Sequence, residues 1–401
     1  MLAHTGDGFL FDENFIWKGY FIMNLHYRKN LCLLYLISFF QGMVFYAPVA
    51  ALYRQSCGLN MLQITVIESI SLILCIALEF PWGILAEKMG YSKTIAVCCG
   101  IYLASKVIFW NAHDFSDFLF ERILLSFAIA GLSGVDMSLL YLTVPKEQFH
   151  KVCSIYDSLG TSGLLASSVL FTIFFQGSWR IAALMTVLSY AAAFAASLFL
   201  SPLPAGSSHC PGDCITSFSA VENPCLILKN FLGNKRLLLF LSGTALLSEM
   251  CQNVTVFLNQ LQYIRCGASD TVIGFFYILV SLAGLFGIFS FAAAKKAGEF
   301  IFSSLCFLLP AVLCFLLCLT ENPVLSAVCI IGIQLMGSLF QPLLSRFQNE
   351  EIRTSSRAAA LSLQAVFLEC TSAAVAPVYG ILADRSLPSA FFAGTFSCLA
   401  G

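Results

Sequence analysis

The side chains able to do chemistry in this chain are few, and nearly all sit inside long apolar runs. Glu249, Gln252, Asn253, Gln260 and Tyr263 recur at helical spacing and predict one polar face on an otherwise greasy helix. Gln41, with Tyr35, Ser38 and Pro48, marks a thinner stripe on an earlier run. Glu68 and Glu79 are three turns apart, about 16 Å along one helix face. Arg122 and Asp136 share a face of another run, with Ser126 and Ser133 between them. A charge at the centre of a membrane helix costs roughly 2.5–3.5 kcal/mol or more, so each such residue is a functional candidate by default. The chemistry available is carboxylate proton exchange, amide hydrogen bonding to a polar solute and ion pairing between helices. Of these, Glu249, Glu68 and Asp136 are the candidate proton carriers, in that order, because a carboxylate in low dielectric exchanges its proton nearer neutral pH. Gln334, Gln341, Gln364 and Glu369 add polar groups to two later runs, where interhelical bonding is the commoner use of a lone amide.

Metal, nucleotide and nucleic-acid chemistry find no support. The histidines, His4, His26, His113, His150 and His209, fall in loops or the N-terminal segment and form no ligand pair. His209-Cys210 with Cys214 lacks a usual zinc spacing and reads as part of a linker. No phosphate-binding loop of the G-x-x-x-x-G-K-[ST] kind occurs. Net charge is −1 and no basic tract is present. No cofactor is expected, and an intramembrane enzyme would need a clustered nucleophile or ligand set that is not visible.

The elements that must position these residues are membrane helices. Of the 401 residues 59% are hydrophobic and 11% charged, with a mean hydropathy of +0.85. Soluble domains carry about 25% charge, so the solvent here is mostly lipid. The predicted spans are 31–52, 61–85, 94–110, 118–142, 154–175 and 181–200, then 237–264, 272–294, 300–319, 323–344, 358–382 and 388 to the end. The last run is short, about 20 Å of helix against a hydrocarbon core of about 30 Å. The expected organisation is an N-terminal segment 1–30, six helices over 31–200, a polar connector 201–235 and six helices over 236–401. Residues 1–22 carry no span, and Met23 is a candidate natural start. The 17 cysteines fall mostly in apolar runs and read as small hydrophobes rather than a disulfide framework. Most of the 21 lysines and arginines sort to the side that holds both chain ends, which puts the N-terminus in the cytoplasm.

One polar stretch punctuates the pattern: Gly83-Ile84-Leu85-Ala86-Glu87-Lys88-Met89-Gly90-Tyr91-Ser92-Lys93, between the second and third runs. It resembles the loop signature G-x-L-A-D-R-x-G-R-K of the major facilitator superfamily, with Glu87 and Lys88 in the acid and base positions. The preceding Glu79-Phe80-Pro81-Trp82-Gly83 is similar to the E-x-P-x-G lead-in of a bacterial set of members. Lys296-Ala297-Gly298, after the second run of the second half, aligns with Lys88-Met89-Gly90 as an internal repeat. Gly380-Ile381-Leu382-Ala383-Asp384 resembles the segment that follows the eleventh helix in many of these proteins. Arg122 occupies the position of an arginine common in their fourth helix.

The resemblance implies an all-α membrane protein of twelve transmembrane helices, the last short, in two pseudo-symmetric six-helix bundles. It implies a secondary transporter rather than an enzyme, moving a small organic solute by alternating access, with a proton as the expected coupling ion. The first helix of each half then lines a central cavity. This makes Gln41, Glu68, Arg122, Asp136, Glu249, Gln252, Asn253 and Gln260 candidates for binding substrate or coupling ion. Gly83, Glu87, Lys88, Gly90 and Lys93 become a cytoplasmic gate motif. The expected setting is the plasma membrane, multi-pass and monomeric, with the lipid bilayer as solvent. A transport-inactive sensor on the same fold is the rival reading.

Overall fold

The computed structural model describes residues 25–144, 148–202, 231–350 and 357–401. The candidate start Met23, the His209–Cys214 stretch and Lys146 lie outside them. Among the described residues eleven helices are long and apolar enough to cross a membrane: α1 Arg28–Ser56, α2 Met61–Met89, α3 Tyr91–Asn111, α4 Phe115–Thr143, α5 Lys151–Phe174, α6 Trp179–Leu198, α7 Lys235–Arg265, α8 Asp270–Ala297, α9 Glu299–Leu319, α10 Pro323–Gln348 and α11 Leu361–Arg385. A shorter apolar helix, α12 Leu387–Ala400, follows. Chains in hydrocarbon must satisfy every backbone amide internally, which is why apolar runs of this length become helices and the turns lie at their ends.

Successive helices run antiparallel, so Lys88, Lys93, Lys151, Lys235, Lys295 and Lys296 gather at one end of the molecule. This is called the basic end below, and the opposite one the far end. The packing of the first six helices recurs in the last six. Helix α3 packs on α4 and α6, as α9 packs on α10 and α12; α1 packs on α5 and α6, as α7 packs on α11 and α12; α2 packs on α4, as α8 packs on α10. The most extensive contact in the molecule crosses between these halves, α2 on α11, and its counterpart is α8 on α5. Gly42 of α1 meets Gly160 and Gly163 of α5 backbone to backbone.

The repeat reaches down to single dihedrals. Gly90 turns α2 into α3 with φ 86° and ψ 141°, and Gly298 turns α8 into α9 with φ 85° and ψ 137°. That region is nearly closed to residues with a side chain. A second repeated turn was not anticipated: Cys57-Gly58 after α1 and Cys266-Gly267 after α7, both glycines at positive φ.

Three helices depart from regular α geometry at places that matter. Helix α1 is interrupted at 43–46 before the 3-10 turn Ala47–Val49. Helix α4 breaks at Ser133–Gly134, so Arg122 and Asp136 do not share one continuous helical face as the spacing predicted. Helix α7 becomes a π-helix over Asn253–Leu258. One wider turn shifts the register of everything beyond it, so the predicted single polar face of α7 is split.

Candidate functional site

The polar residues of α7 go to three different surroundings. Gln252 is exposed at membrane depth and lines a cavity of about 250 Å³ with Ser248, Thr255, Gln334, Ser338 and Gln341. Amides and hydroxyls of α7 and α10 thus face one space, and none of its lining residues is charged. Glu249 and Asn253, one turn apart, are buried and joined: Asn253 Nδ2 donates to Glu249 Oε1 at 2.6 Å and to the Glu249 carbonyl at 2.9 Å. The Glu249 carboxylate also lies beside Ser372 of α11 and within electrostatic reach of Glu68 in the other half. Gln260, beyond the π-helix, does not face the cavity. Its Oε1 accepts from the Ala51 and Leu52 amides at 2.9 and 3.3 Å, which ties α7 to α1 across the halves. Tyr263 is fully buried.

The first-helix stripe is likewise inward but local. Gln41 Nε2 donates to Cys99 Sγ at 3.3 Å and its carbonyl accepts from Tyr190 Oη at 2.7 Å. Ser38 Oγ donates to the Tyr156 carbonyl at 2.7 Å. These bonds hold α1 to α3, α5 and α6, so Gln41 joins helices of its own half rather than facing the cavity of α7 and α10. Asp136 starts the second segment of α4, where its carboxylate accepts from Met137 N at 2.7 Å and from Tyr156 Oη at 3.0 Å. That is a helix-terminus role of the kind expected for an acid in a first turn.

Glu68 and Arg122 are brought together, and with partners the spacing did not reveal. Arg122 of α4 pairs with Glu68 Oε2, and Arg54 of α1 approaches Glu68 Oε1 at 3.5 Å. Beside them Lys106 of α3 reaches Glu121 Oε1 at 3.3 Å and Tyr46 Oη at 3.1 Å. The rings of Tyr46, Tyr102 and Tyr190 stand 5.5 to 5.8 Å from its ammonium. Neither Lys106 nor Arg54 was among the sequence candidates, although Lys106 is the lone charge of the predicted span 94–110. Their partners come from other helices and leave no local signal.

The far end is closed by two related contacts between the halves. Asp384, at the end of α11, accepts from the first two amides of α2, Met61 N at 2.8 Å and Leu62 N at 2.9 Å. A carboxylate across free helix amides is a favourable charge–dipole arrangement. In the other crossing, Gln176 Oε1 accepts from Thr271 Oγ1 at 2.5 Å, and Asp270 accepts from Gly177 N and Trp179 Nε1. Each crossing also seats a glycine on a threonine: Gly380 against Thr65 and Gly274 against Thr172. A Cβ on Gly380 would lie 2.7 Å from Leu62 Cα, so only glycine lets these helices touch. The far-end segment Gly380–Asp384 therefore has a structural task of its own.

The basic end is different. Glu87, Lys88 and Lys93 are exposed and make no hydrogen bond or ion pair among the described residues. A Cβ added at Gly83 would meet nothing within 4 Å, so no helix approaches it closely in this conformation. Gly90 does make the expected tight turn.

A membrane-spanning bundle with repeated packing, a polar cavity at membrane depth and one sealed end has the architecture of a secondary solute transporter. The chain belongs to the major facilitator superfamily, whose family model matches residues 31–377. No curated protein matches it in sequence. Among solved structures it is similar to the nucleoside transporter NupG, with 14% identity, a TM-score of 0.74 and coverage of 94% of this chain and 97% of that one. It is also similar to a bacterial homolog of the human lysosomal transporter Spinster in an inward-facing, unoccupied conformation, at 14% identity, a TM-score of 0.70 and coverage of 94% and 95%. A D-xylose–proton symporter follows at 13% identity, TM-score 0.68 and coverage of 93% and 96%. At these identities the likeness is one of fold.

Proposed function

We propose that this chain moves a small organic solute across the plasma membrane by alternating access, coupled to a proton gradient, and that the structure is its inward-facing state. In this reading the six-helix bodies 31–200 and 236–401, joined by the connector 201–235, rock about a site near the membrane midplane. The basic end faces the cytoplasm by the positive-inside rule, and the N-terminus with it. The single observation that carries the reading is the asymmetry between the ends among the described residues: cross-half hydrogen bonds and glycine contacts gather at the far end, while Gly83, Glu87, Lys88 and Lys93 at the basic end are exposed and Gly83 has open space around it. Closing the basic end would bring Gly83 and Glu87 against the opposite half, so the loop is a latch for the other state.

Within the site, Gln252, Gln334 and Gln341 offer donors and acceptors to an uncharged polar part of the solute. Glu249 is the coupling carboxylate, because it is buried within a membrane-spanning helix, held by Asn253 and Ser372 rather than by a cation, and set within reach of Glu68. Proteoliposomes test this directly. An imposed inward proton gradient should drive uptake of the solute, and Glu249→Gln should leave solute exchange running while abolishing the response to the gradient. Uptake in wild type that ignores the gradient removes the proton-coupled reading.

A further inference from the structure

The five ionised side chains at the far-end side of α1 to α4 do not balance. Lys106 and Glu121 form one pair at 3.3 Å. Arg54 and Arg122 both converge on Glu68, one carboxylate for two guanidiniums. Three cations therefore share two anions in a region where an uncompensated charge is expensive. The donors around Glu68 show the same deficit: Arg54 Nε and Arg122 Nε are both buried without a hydrogen-bond partner, and Glu121 Oε2, an unpaired acceptor beside Lys106, bonds to neither. A buried N–H of a charged group left unpaired costs more than a neutral one, so two of them on adjacent guanidiniums mark a missing acceptor.

Among the described residues no acid of the opposite half forms an ion pair with either arginine. Its nearby acid, Glu249, is engaged by Asn253, and the charge within its reach is Glu68 rather than either arginine. Glu68 and Glu121 are the acids that act most strongly on Arg122, with the hydroxyls of Tyr102 and Tyr46 beside them. Access exists on one side only. The Arg122 side chain is 22% exposed and Glu68 14%, whereas Arg54 is 7% exposed. Next to Arg122 the hydroxyls of Ser71 and Ser126 lie 2.8 Å apart and extend the polar wall. Phe109 and Tyr46 stack at 4.1 Å beside it, with Arg54 5.7 Å over the Phe109 ring.

We propose that the paired guanidiniums of Arg54 and Arg122, sharing Glu68, form the binding site for a carboxylate group of the transported solute. This rests on the carrier reading above and narrows its substrate to organic anions. A guanidinium presents Nε and Nη as a planar fork that matches the two oxygens of a carboxylate, a fit a point charge such as lysine does not reproduce. A carboxylate entering on the exposed Arg122 side accepts from the Nε groups once the guanidiniums turn toward it, brings the cluster to electroneutrality and leaves Lys106–Glu121 undisturbed.

The test is binding of sodium benzoate, with benzamide as its neutral isostere and inorganic phosphate as a second oxyanion, to the purified full chain in detergent, read by thermal shift and calorimetry. Benzoate should bind saturably and benzamide should not. Arg122→Gln should raise the half-saturating benzoate concentration roughly tenfold or more, the size of one lost charged hydrogen bond. Glu68→Gln should lower it, because both guanidiniums are released. Benzoate and benzamide acting alike, or Glu68→Gln weakening benzoate as Arg122→Gln does, overturns the proposal. Phosphate binding more tightly than benzoate overturns the carboxylate assignment in favour of a phosphate group. Should Arg122→Gln fail to fold, Arg122→Lys and the sign of the Glu68→Gln effect decide alone. Because the readout is binding, gradient-driven uptake of neutral solutes with no benzoate binding sinks this proposal and spares the carrier reading; benzoate binding without any flux does the reverse.

Discussion

Asp384→Asn probes the far-end seal with little change of shape. The native carboxylate accepts from Met61 N and Leu62 N, one oxygen to each. Asparagine keeps one acceptor, sets an NH₂ against the other amide and removes the charge from the start of α2. One charge-assisted hydrogen bond is worth about 1.5–3 kcal/mol, and the interaction with the helix dipole a further 0.3–1 kcal/mol. The bond to Leu62 is at an exposed position, and water replaces part of what is lost there, so the lower end of the range applies. A loss of about 2 kcal/mol corresponds to a roughly 30-fold shift away from the far-end-closed state. Hydrogen exchange read by mass spectrometry measures it. Peptides covering the start of α2 and the end of α11 should exchange up to about 30-fold faster, and those covering the Gly83–Lys93 loop should gain protection as the basic end closes more often. Unchanged exchange at the start of α2, or faster exchange at both ends alike, would refute the reasoning.

Two further outcomes follow from the same geometry. Lys106→Met strips the buried Glu121 of its cation and should destabilise the protein by about 3–5 kcal/mol, seen as a large drop in melting temperature in detergent. The double variant Lys106→Met with Glu121→Met should recover most of that loss, and equal destabilisation in both would count against a charge effect. Gly83→Leu places its side chain in open space in this conformation, so melting temperature should hold while transport turnover falls; retained turnover would remove Gly83 from the latch.

How much of this was legible in the chain depends on the range of the interaction. Apolar runs are local, so the helices, the short α12 and the polar connector's neighbours were readable, as was the Gly90 turn with its copy at Gly298. The Arg54–Glu68–Arg122 cluster was not. Its members lie 14 and 54 positions apart, and spacing on one helix says nothing about a partner on another. Gln260 was misplaced because regular helical periodicity assumes 3.6 residues per turn, and the π-helix at Asn253–Leu258 breaks that register. Arg122 and Asp136 were assigned to one face because nothing in an apolar run announces that Gly134 will take a left-handed conformation and break the helix. Asp384 carried a recognisable motif, yet its task at the start of α2 needed the topology to bring residues over 300 positions apart into contact.

The central claim is that two halves rock against each other so that one end opens as the other shuts. The most direct measurement is a pair of label–label distances in liposomes, introduced through unnatural amino acids because the chain has 17 cysteines. One pair spans the start of α2 and the end of α11 at the far end, the other the Gly83–Lys93 loop and the start of α11 at the basic end. Two populations are predicted, in which the far-end distance lengthens whenever the basic-end distance shortens. A single fixed distance at both ends, or two distances that grow and shrink together, would contradict the account.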